Sequence, residues 1–168
     1  MRQRYLIALG SNQRHHRHGH PPQVLRAAVA ALAEAGLTVE AAAPIMTSAP
    51  VGPSLRRYAN SAALITTDRA PDELLAVLKE IERRFGRRAG GRRWSARVLD
   101  LDLVLWSGGA WSSPSLTVPH AAFRERDFVL APARALVPDW RDPVTNLSLR
   151  QLKARLTRRA RIRKRADR

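Results

Sequence analysis

The sequence contains no cysteine among its 168 residues. A disulfide framework, a thiolate metal site and a cysteine nucleophile are therefore excluded. Long apolar runs are also missing. The first run, YLIAL at residues 5–9, is far shorter than the roughly 20 residues of a membrane-spanning helix, and no small-residue cleavage site follows it. We therefore expect a soluble, cytoplasmic protein.

Acidic residues are scarce: 14 Asp and Glu stand against 30 Lys and Arg, and the formal net charge is +16. Residues 150–168 alone hold ten of the basic side chains and one aspartate. This basic tail is a candidate for contact with nucleic acid or another polyanion. The alternative is a solvated, partly disordered chain end. The charge also suits an enzyme with phosphorylated substrates, so it does not separate these classes.

Length and a hydrophobic content of 45% fit one globular domain, residues 1–149, followed at 150–168 by a helix end and the basic tail. Apolar periodicity and turn residues predict its elements. The predicted strands are 4–9, 37–50 with a break at Pro44, 58–67 and 97–106, and the predicted helices are 21–36, 70–86, part of 123–136, and 147–160. The order β-α-β-β-α-β predicts an α+β fold, a ferredoxin-like sandwich whose antiparallel sheet is covered by helices.

Two aspartates interrupt the apolar strand 97–106. Because strand side chains alternate, we expect Asp100 and Asp102 on one face with Val104 and Trp106, and the four leucines of the run on the other. Two ionised carboxylates in a half-buried strand need a compensating charge. The neighbouring arginines are one candidate, and a pair of Mg²⁺ ions is the better one, because Mg²⁺ binds one or two carboxylates together with phosphate oxygens. The alternative is a strand whose carboxylates simply face water.

The segment before the aspartates, RRAGGRRWSAR at residues 87–97, suits a nucleotide site. Its arginines can pair bidentately with phosphate oxygens. Its tryptophan can stack on a planar ring, and its two adjacent glycines allow a loop to close. Cations, carboxylates and an aromatic ring thus fall within about twenty residues.

A resemblance to a known family rests on these residues. The run RRWSARVLDLDLVLW resembles the R-W-x-x-R-x-L-D-L-D signature of the 6-hydroxymethyl-7,8-dihydropterin pyrophosphokinase family of folate biosynthesis. Further motifs in the same order extend it over most of the chain: LIALGSN, SAPVGP, YANSAA and LTVPHAAFRERDFVLAP. The resemblance implies the ferredoxin-like fold and the transfer of pyrophosphate from ATP to the pterin hydroxymethyl group, with AMP released. ATP is then the co-substrate, and two Mg²⁺ ions are the cofactors.

The resemblance also implies roles for individual residues. The metal ligands are Asp100 and Asp102, and the catalytic arginines are Arg87 and Arg97. The implied ATP contacts are Lys79, Glu82, Trp94, Leu103, Thr117, His120 and Arg126. The implied pterin contacts are Ser48, Ala49, Val51, Tyr58, Asn60, Trp94, Asp100 and Phe128. Without the motifs, His120 would be taken for a structural histidine, and Tyr58 and Phe128 for core residues.

The chain departs from the family's pattern at several positions. Residues 48–52 read S-A-P-V-G where the family reads T-P-P-x-G, and residues 93–97 read R-W-S-A-R where it reads R-W-G-P-R. Ala89 and Ser115 stand where the family has arginines, and Lys79 where it commonly has glutamine. We expect these changes to alter affinities and loop mobility more than the type of reaction.

A histidine-rich segment, NQRHHRHGHPP at residues 12–22, lies outside the family's pattern. Its four histidines, His15, His16, His18 and His20, suggest a metal site. The alternative is a solvent-exposed loop, because no carboxylate or other ligand is nearby in sequence.

Two other functions compete with the pyrophosphokinase. An RNA-binding protein fits a ferredoxin-like sheet with an arginine-rich tail, but only 5% of the residues are aromatic, and acids occupy the best strand. A Mg²⁺-dependent nuclease built on Asp100 and Asp102 leaves the VGP and YAN motifs without a role. We expect ATP and the pterin as small-molecule partners, no membrane partner, and a monomer.

Overall fold

The computed structural model describes residues 1–48, 58–86 and 97–166. Within these ranges the chain forms strands, α-helices and one short 3-10 helix. The strands are β1 (Gln3–Ser11), β2 (Thr38–Ala42), β3 (Met46–Ser48), β4 (Tyr58–Thr67), β5 (Asp100–Trp106), β6 (Trp111–Ser112) and β7 (Thr117–Val118). The helices are α1 (Pro21–Glu34), α2 (Pro71–Arg84), α3 (Asp127–Leu136) and α4 (Leu149–Ala166), with the 3-10 helix Phe123–Glu125 before α3.

A five-stranded antiparallel sheet forms the centre of the fold. Its strand order is β2-β4-β1-β5, and β3 pairs with the start of β4. Strands β6 and β7 form a separate small hairpin. The prediction of an antiparallel sheet combined with helices is therefore confirmed.

Helices cover both faces of the sheet, and β1 shows how its side chains divide between them. Tyr5, Ile7 and Leu9 pack with α1 and α2 into one core. Leu6 and Ala8 pack with α3 and the start of α4 into a second core. We call these two sides the first face and the second face. The alternation follows from the period of two in a strand, and each large apolar side chain buried in this way contributes about 2 kcal/mol.

The element boundaries agree closely with the predictions. Strand β4 spans the predicted 58–67, and the extended segment 37–50 is interrupted around Pro44 between β2 and β3. The last helix differs most, because α4 continues to Ala166 instead of ending near residue 160. Its Ala, Arg and Lys residues favour helix, and it contains no Gly or Pro. In the described part of the chain, no helix combines the length and the apolar character needed to cross a membrane.

The predicted alternation of β5 is wrong in its second half. The register between β1 and β5 shifts once, which marks a β-bulge. The first three leucines of the run lie on the first face as expected. After the bulge, Leu105 instead joins Val104 on the second face. Trp106 turns to the first face, where its ring stacks on Tyr5 with 6.4 Å between the centroids.

The histidine-rich segment forms a turn between β1 and α1, residues 12–20, which we call the histidine turn. The expectation of exposure holds for His16 and His20. It is wrong for His15, which is 6% exposed because its ring packs near Phe85, the residue after α2. Among the described residues, no three His, Asp, Glu or Cys side chains are placed to hold a metal ion. The structure thus gives His15 and His18 a packing role against Phe85.

Candidate active site

The two aspartates lie together on the second face of the sheet, as expected from the strand pattern. Strand β5 is an edge strand, and the leucines on either side of the aspartates point into the core of the first face. Asp100 is 23% exposed and Asp102 32% exposed, so both carboxylates are half-buried. They therefore face an open part of the second face, beyond the edge of its core.

Basic side chains surround this carboxylate pair. The guanidinium Nη1 of Arg97 donates to Asp100 Oδ2 at 2.7 Å. His120 Nε2 lies 3.9 Å from Asp102 Oδ2, and Lys79 and Arg126 are close enough to act electrostatically on the same carboxylate. Burial raises the pKa of Asp102 and the charge of Asp100 raises it further, while the cations oppose both effects.

His120 is held in one orientation by its own loop. Its backbone N–H donates to Val104 O at 3.1 Å, and its Nδ1 accepts the N–H of Ala122 at 3.3 Å. Because Nδ1 is an acceptor, the neutral imidazole carries its proton on Nε2, the nitrogen nearest Asp102. The loop thus presents an N–H group to the carboxylate pair.

A row of three residues crosses the sheet beside the aspartates. Asn60 of β4 pairs with Gly10 of β1, and Gly10 pairs with Asp100 of β5. Neighbouring strands are about 4.8 Å apart, so the two side chains stand about 10 Å apart with only glycine backbone between them. A Cβ on Gly10 would lie 3.6 Å from Asn60 Oδ1. The result is a flat floor bordered by an amide and a carboxylate.

Aromatic side chains lie on the same side of the sheet. Tyr58 is half-buried and, two residues before Asn60, shares its face. Phe128 of α3 packs against the core of the second face, and the guanidinium of Arg126 lies 5.8 Å from its ring centroid. Both rings lie on the face of the sheet that carries the row, and aromatic rings of this kind can offer apolar walls to a planar ligand.

For other residues implied by the resemblance, the structure gives contacts elsewhere than at the carboxylate pair. The side chain of Leu103 packs into the core of the first face, away from the aspartates. Thr117 is exposed in β7. Glu82 is fully buried, and its Oε2 accepts from Lys79 Nζ at 3.0 Å. Ser115, where the family has an arginine, instead donates to Asp72 at 3.2 Å.

Part of the implied site lies outside the described residues. Arg87, Ala49, Val51 and Trp94 fall in this group, and for Ser48 the structure describes only the backbone, paired with Tyr58 at the end of β3. Their roles stay predictions.

The sequence reading missed two residues at this site. Gly10 lies in the LIALGSN motif, and a glycine inside a strand is a signal for close approach to a ligand. Asn12 Oδ1 accepts a hydrogen bond from the backbone N–H of Arg97 at 2.7 Å. The two residues are 85 positions apart, so no local sequence pattern predicts this contact.

A separate cavity of about 430 Å³ opens at the other end of the sheet. Arg2, Thr67 and Glu73 are among its lining residues. These residues flank the start of β1 and the end of β4, so the cavity is distinct from the carboxylate pair and the row beside it.

Comparisons with known proteins identify the class to which this fold and site belong. A 2-amino-4-hydroxy-6-hydroxymethyldihydropteridine pyrophosphokinase of Pseudomonas aeruginosa is 38% identical over 145 residues, 85% of this chain and 86% of the relative. The enzyme of the same name from Synechocystis is 36% identical over 129 residues, 76% of this chain and just under two thirds, 66%, of the relative. These names define a class of transferases that act on a pterin, the pyrophosphokinases.

The family follows from a direct match. The model of the 7,8-dihydro-6-hydroxymethylpterin-pyrophosphokinase (HPPK) family matches residues 6–138. The chain belongs to this family. A solved structure of Plasmodium falciparum HPPK-DHPS has a similar fold, with a TM-score of 0.74 at 11% identity, and the likeness covers 97% of this chain and 46% of that one.

Proposed function

We propose that this chain transfers pyrophosphate from ATP to the hydroxymethyl group of 6-hydroxymethyl-7,8-dihydropterin, giving AMP and the pterin diphosphate in folate biosynthesis. The observation that carries the proposal is the floor formed by Gly10 between Asn60 and Asp100. The carboxylate of Asp102, the second of the pair, lies beside it on the same strand as Asp100. The floor has room for a flat heterocycle over Gly10, and the two carboxylates beside it suit phosphate chemistry. Membership of the HPPK family supplies the identity of both substrates.

The pterin is proposed to lie over Gly10. A flat, polar ring needs apolar walls and a few convergent hydrogen-bonding groups. Tyr58 and Phe128 supply the walls, and Asn60 and Asp100 supply the polar edge. Ser48, Ala49, Val51 and Trp94 complete the proposed pterin contacts on the strength of the family resemblance.

Asp100 and Asp102 are the proposed ligands of two Mg²⁺ ions. The donor set fits, because two half-buried carboxylates with nearby space for phosphate oxygens are what Mg²⁺ takes from a protein. Burial and the charge of Asp100 raise the pKa of Asp102. A cation bound beside Asp102 would therefore stabilise its ionised form. Bound Mg²⁺ would supply neutralisation of charge on the ATP phosphates.

The chain's own cations are proposed to bind ATP and to stabilise the transferring group. Arg97, already 2.7 Å from Asp100, stands next to the carboxylate pair, and Arg87 is its proposed counterpart. Fixed cations of this kind stabilise charge that develops as the pterin hydroxymethyl oxygen attacks the β-phosphorus and AMP leaves. The proposed ATP contacts are Lys79, Glu82, Trp94, Leu103, Thr117, His120 and Arg126.

The finer description of the fold is also a proposal. The strand order β2-β4-β1-β5, with α1 and α2 together on one face, supports a ferredoxin-like sandwich. Helices α3 and α4 add a layer on the other face. A monomeric state, a location in the cytoplasm and a domain limit at residue 149 stay predictions.

A second binding function is favoured by α4. Residues 158–163 of this helix are all exposed, and four of the six are arginines. Ile162 is the one large apolar side chain among them, so this part of the helix has no apolar face. We propose that it contacts RNA through the phosphate backbone.

The enzyme is tested by following AMP in a mixture of the protein, ATP, Mg²⁺ and 6-hydroxymethyl-7,8-dihydropterin. AMP should form only when the pterin is present. Asp100→Ala and Asp102→Ala should each lose at least about a hundredfold in rate. A folded protein that binds both substrates but forms no AMP would overturn the proposal.

A further inference from the structure

The histidine turn contacts the chain on both sides of residues 87–96. On the far side, Asn12 and Arg97 form a reciprocal pair of hydrogen bonds. The Asn12 N–H donates to Arg97 O at 3.1 Å, and the Arg97 N–H donates to Asn12 Oδ1 at 2.7 Å. The backbone of Arg97 is therefore fixed just before the strand that carries the aspartates.

On the near side, the turn packs against Phe85, which follows directly after α2. The ring of His18 stacks on the Phe85 ring with 4.9 Å between centroids and 23° between planes. His15 stacks on His18 at 4.6 Å and lies 5.8 Å from Phe85. Phe85 is itself 6% exposed and belongs to the core of the first face, so this contact is anchored in the core.

The turn has its own internal order. His15 Nδ1 accepts the backbone N–H groups of Arg17 at 3.1 Å and His18 at 3.2 Å. The backbones of His15 and Gly19 exchange two further hydrogen bonds, at 2.8 and 2.9 Å. Gly19 has a positive φ of 86°, which other residues rarely adopt. The turn is therefore a built structure, and its stacked rings are presented to Phe85 in one arrangement.

We propose that the histidine turn is a positioning element for catalysis: anchored on Phe85 through His18, it fixes the backbone of Arg97 through Asn12 and so holds Arg97 against Asp100. The proposal rests on the proposed pyrophosphokinase function, in which Arg97 stabilises the transferring group. The turn acts through Arg97, and its own residues touch no substrate. A misplaced arginine costs rate more than binding, because its charge matters most in the transition state.

The same geometry makes the element sensitive to protons. A proton on His15 Nδ1 would abolish its two accepted hydrogen bonds and open the turn. The charged and titratable groups that face His15 are His16, His18 and Arg17 of the same turn, and the residue packed against it after α2 is the uncharged Phe85. Burial, and then these neighbours, lower the pKa of His15, which keeps the imidazole neutral and the turn closed near neutral pH.

The test compares substitutions that remove one imidazole each. His18→Asn removes the ring stacked on Phe85, and His20→Asn is the matched control at the exposed start of α1, where Asn is a good helix cap. We expect His18→Asn to lower kcat about tenfold or more, with KM for the pterin changed less than about threefold. His20→Asn should match the wild type. His18→Phe keeps a ring on Phe85 and should retain activity.

Amide hydrogen exchange gives a readout that does not need activity. His18→Asn and Asn12→Ala should speed exchange at the Arg97 amide, and His20→Asn should not. If the wild type forms no AMP, the proposed function fails, and exchange at Arg97 alone then decides whether the turn positions this residue. Wild-type kcat together with wild-type exchange in His18→Asn would overturn the proposal. So would a loss of kcat that His18→Phe does not restore.

Discussion

Glu82 Oε1 accepts the backbone N–H of Leu101 at 2.7 Å, from a side chain with no exposed surface. Leu101 lies between the two aspartates of β5, and β5 is an edge strand of the sheet. An edge strand has N–H groups without a strand partner, and here a buried carboxylate from α2 binds one of them. The contact ties α2 to the part of β5 that carries the candidate metal ligands.

Glu82→Ala should lower both stability and activity. Removing the acceptor leaves the buried Leu101 N–H without its partner, which costs about 1–3 kcal/mol, measurable by urea unfolding. Glu82→Gln keeps an oxygen at this position and should retain most of the stability and of kcat. If Glu82→Gln instead raises KM for ATP strongly at unchanged stability, the proposed contact of Glu82 with ATP matters more for activity than its hydrogen bond to Leu101.

Gly10→Ala tests the floor of the proposed pterin site. The new Cβ would meet Asn60 Oδ1 at 3.6 Å, an ordinary contact, so the free energy of unfolding should change little. The methyl group would stand where the flat ring is proposed to lie, and KM for the pterin should rise about tenfold or more. KM for ATP serves as the internal control and should stay constant. An unchanged KM for the pterin would place the ring elsewhere.

The elements of the fold could be predicted because their signals are local. The helix α2 and the strand β4 carry their own periodicity and end signals in the sequence, and both boundaries agree within one or two residues. The bulge in β5 could not be predicted in this way. It depends on the register between β1 and β5, and register is a property of two strands together.

In the candidate site, too, the features with a local sequence pattern could be predicted, and those that depend on distant residues could not. The D-x-D pattern predicted that Asp100 and Asp102 share a face. The burial of His15 and Glu82 was not predictable, because polar residues in a loop or on a helix favour exposure unless a distant partner covers them. Those partners, Phe85 and Leu101, belong to other elements, and only the folded chain brings them into contact.

Asp102→Asn should abolish AMP formation without lowering stability at neutral pH. Burial and the neighbouring Asp100 raise the pKa of Asp102, so its charged form is disfavoured in the folded state. Asp102→Asn should therefore have a higher free energy of unfolding than the wild type once the pH has risen through this raised pKa. The difference should vanish in acid, where Asp102 of the wild type is protonated. Thermal melts at pH 4 and pH 7 measure it. If Asp102→Asn were less stable than the wild type at pH 7, the charge on Asp102 would not destabilise the folded state, and this expectation would be wrong.

The same variant tests metal binding. Mg²⁺ that binds only the folded state raises the melting temperature of the wild type. Asp102→Asn should respond much less, and Asp139→Asn, at an exposed position in the loop before α4, is the matched control. Equal shifts in all three proteins would place the Mg²⁺ site elsewhere.

Asp142 should be important for stability, through Arg124. Its two carboxylate oxygens accept hydrogen bonds from Nε and Nη2 of Arg124, each at 2.7 Å. The side chain of Asp142 has no exposed surface. Burial alone would raise the pKa of Asp142, but hydrogen bonds from Arg124, Thr145 and the Val144 N–H outweigh it and hold this pKa below its usual range. Asp142→Asn should cost about 3–5 kcal/mol, because it leaves Arg124 without its anion.

The pH dependence gives a second check on this pair. Because the folded-state pKa of Asp142 is lowered, its stabilisation is present above the ordinary pKa of aspartate and is lost as the pH falls below it. The difference in unfolding free energy between the wild type and Asp142→Asn should therefore shrink in strong acid. A difference that is constant from pH 7 to pH 2 would mean that packing, and not the ion pair, accounts for the loss.

The exposed arginines of α4 give the last prediction. Four contacts between arginines and the phosphates of a single-stranded RNA imply a slope of about −3 in log K against log salt concentration. Replacing Arg158, Arg159, Arg161 and Arg163 by Gln should remove most of this binding. AMP formation should not change, since these residues lie beyond the part of α4 that packs on the core, which ends near Leu156. RNA binding that is equally strong in the quadruple variant, or no binding at 50 mM salt in the wild type, would show that the basic helix is a solvated chain end.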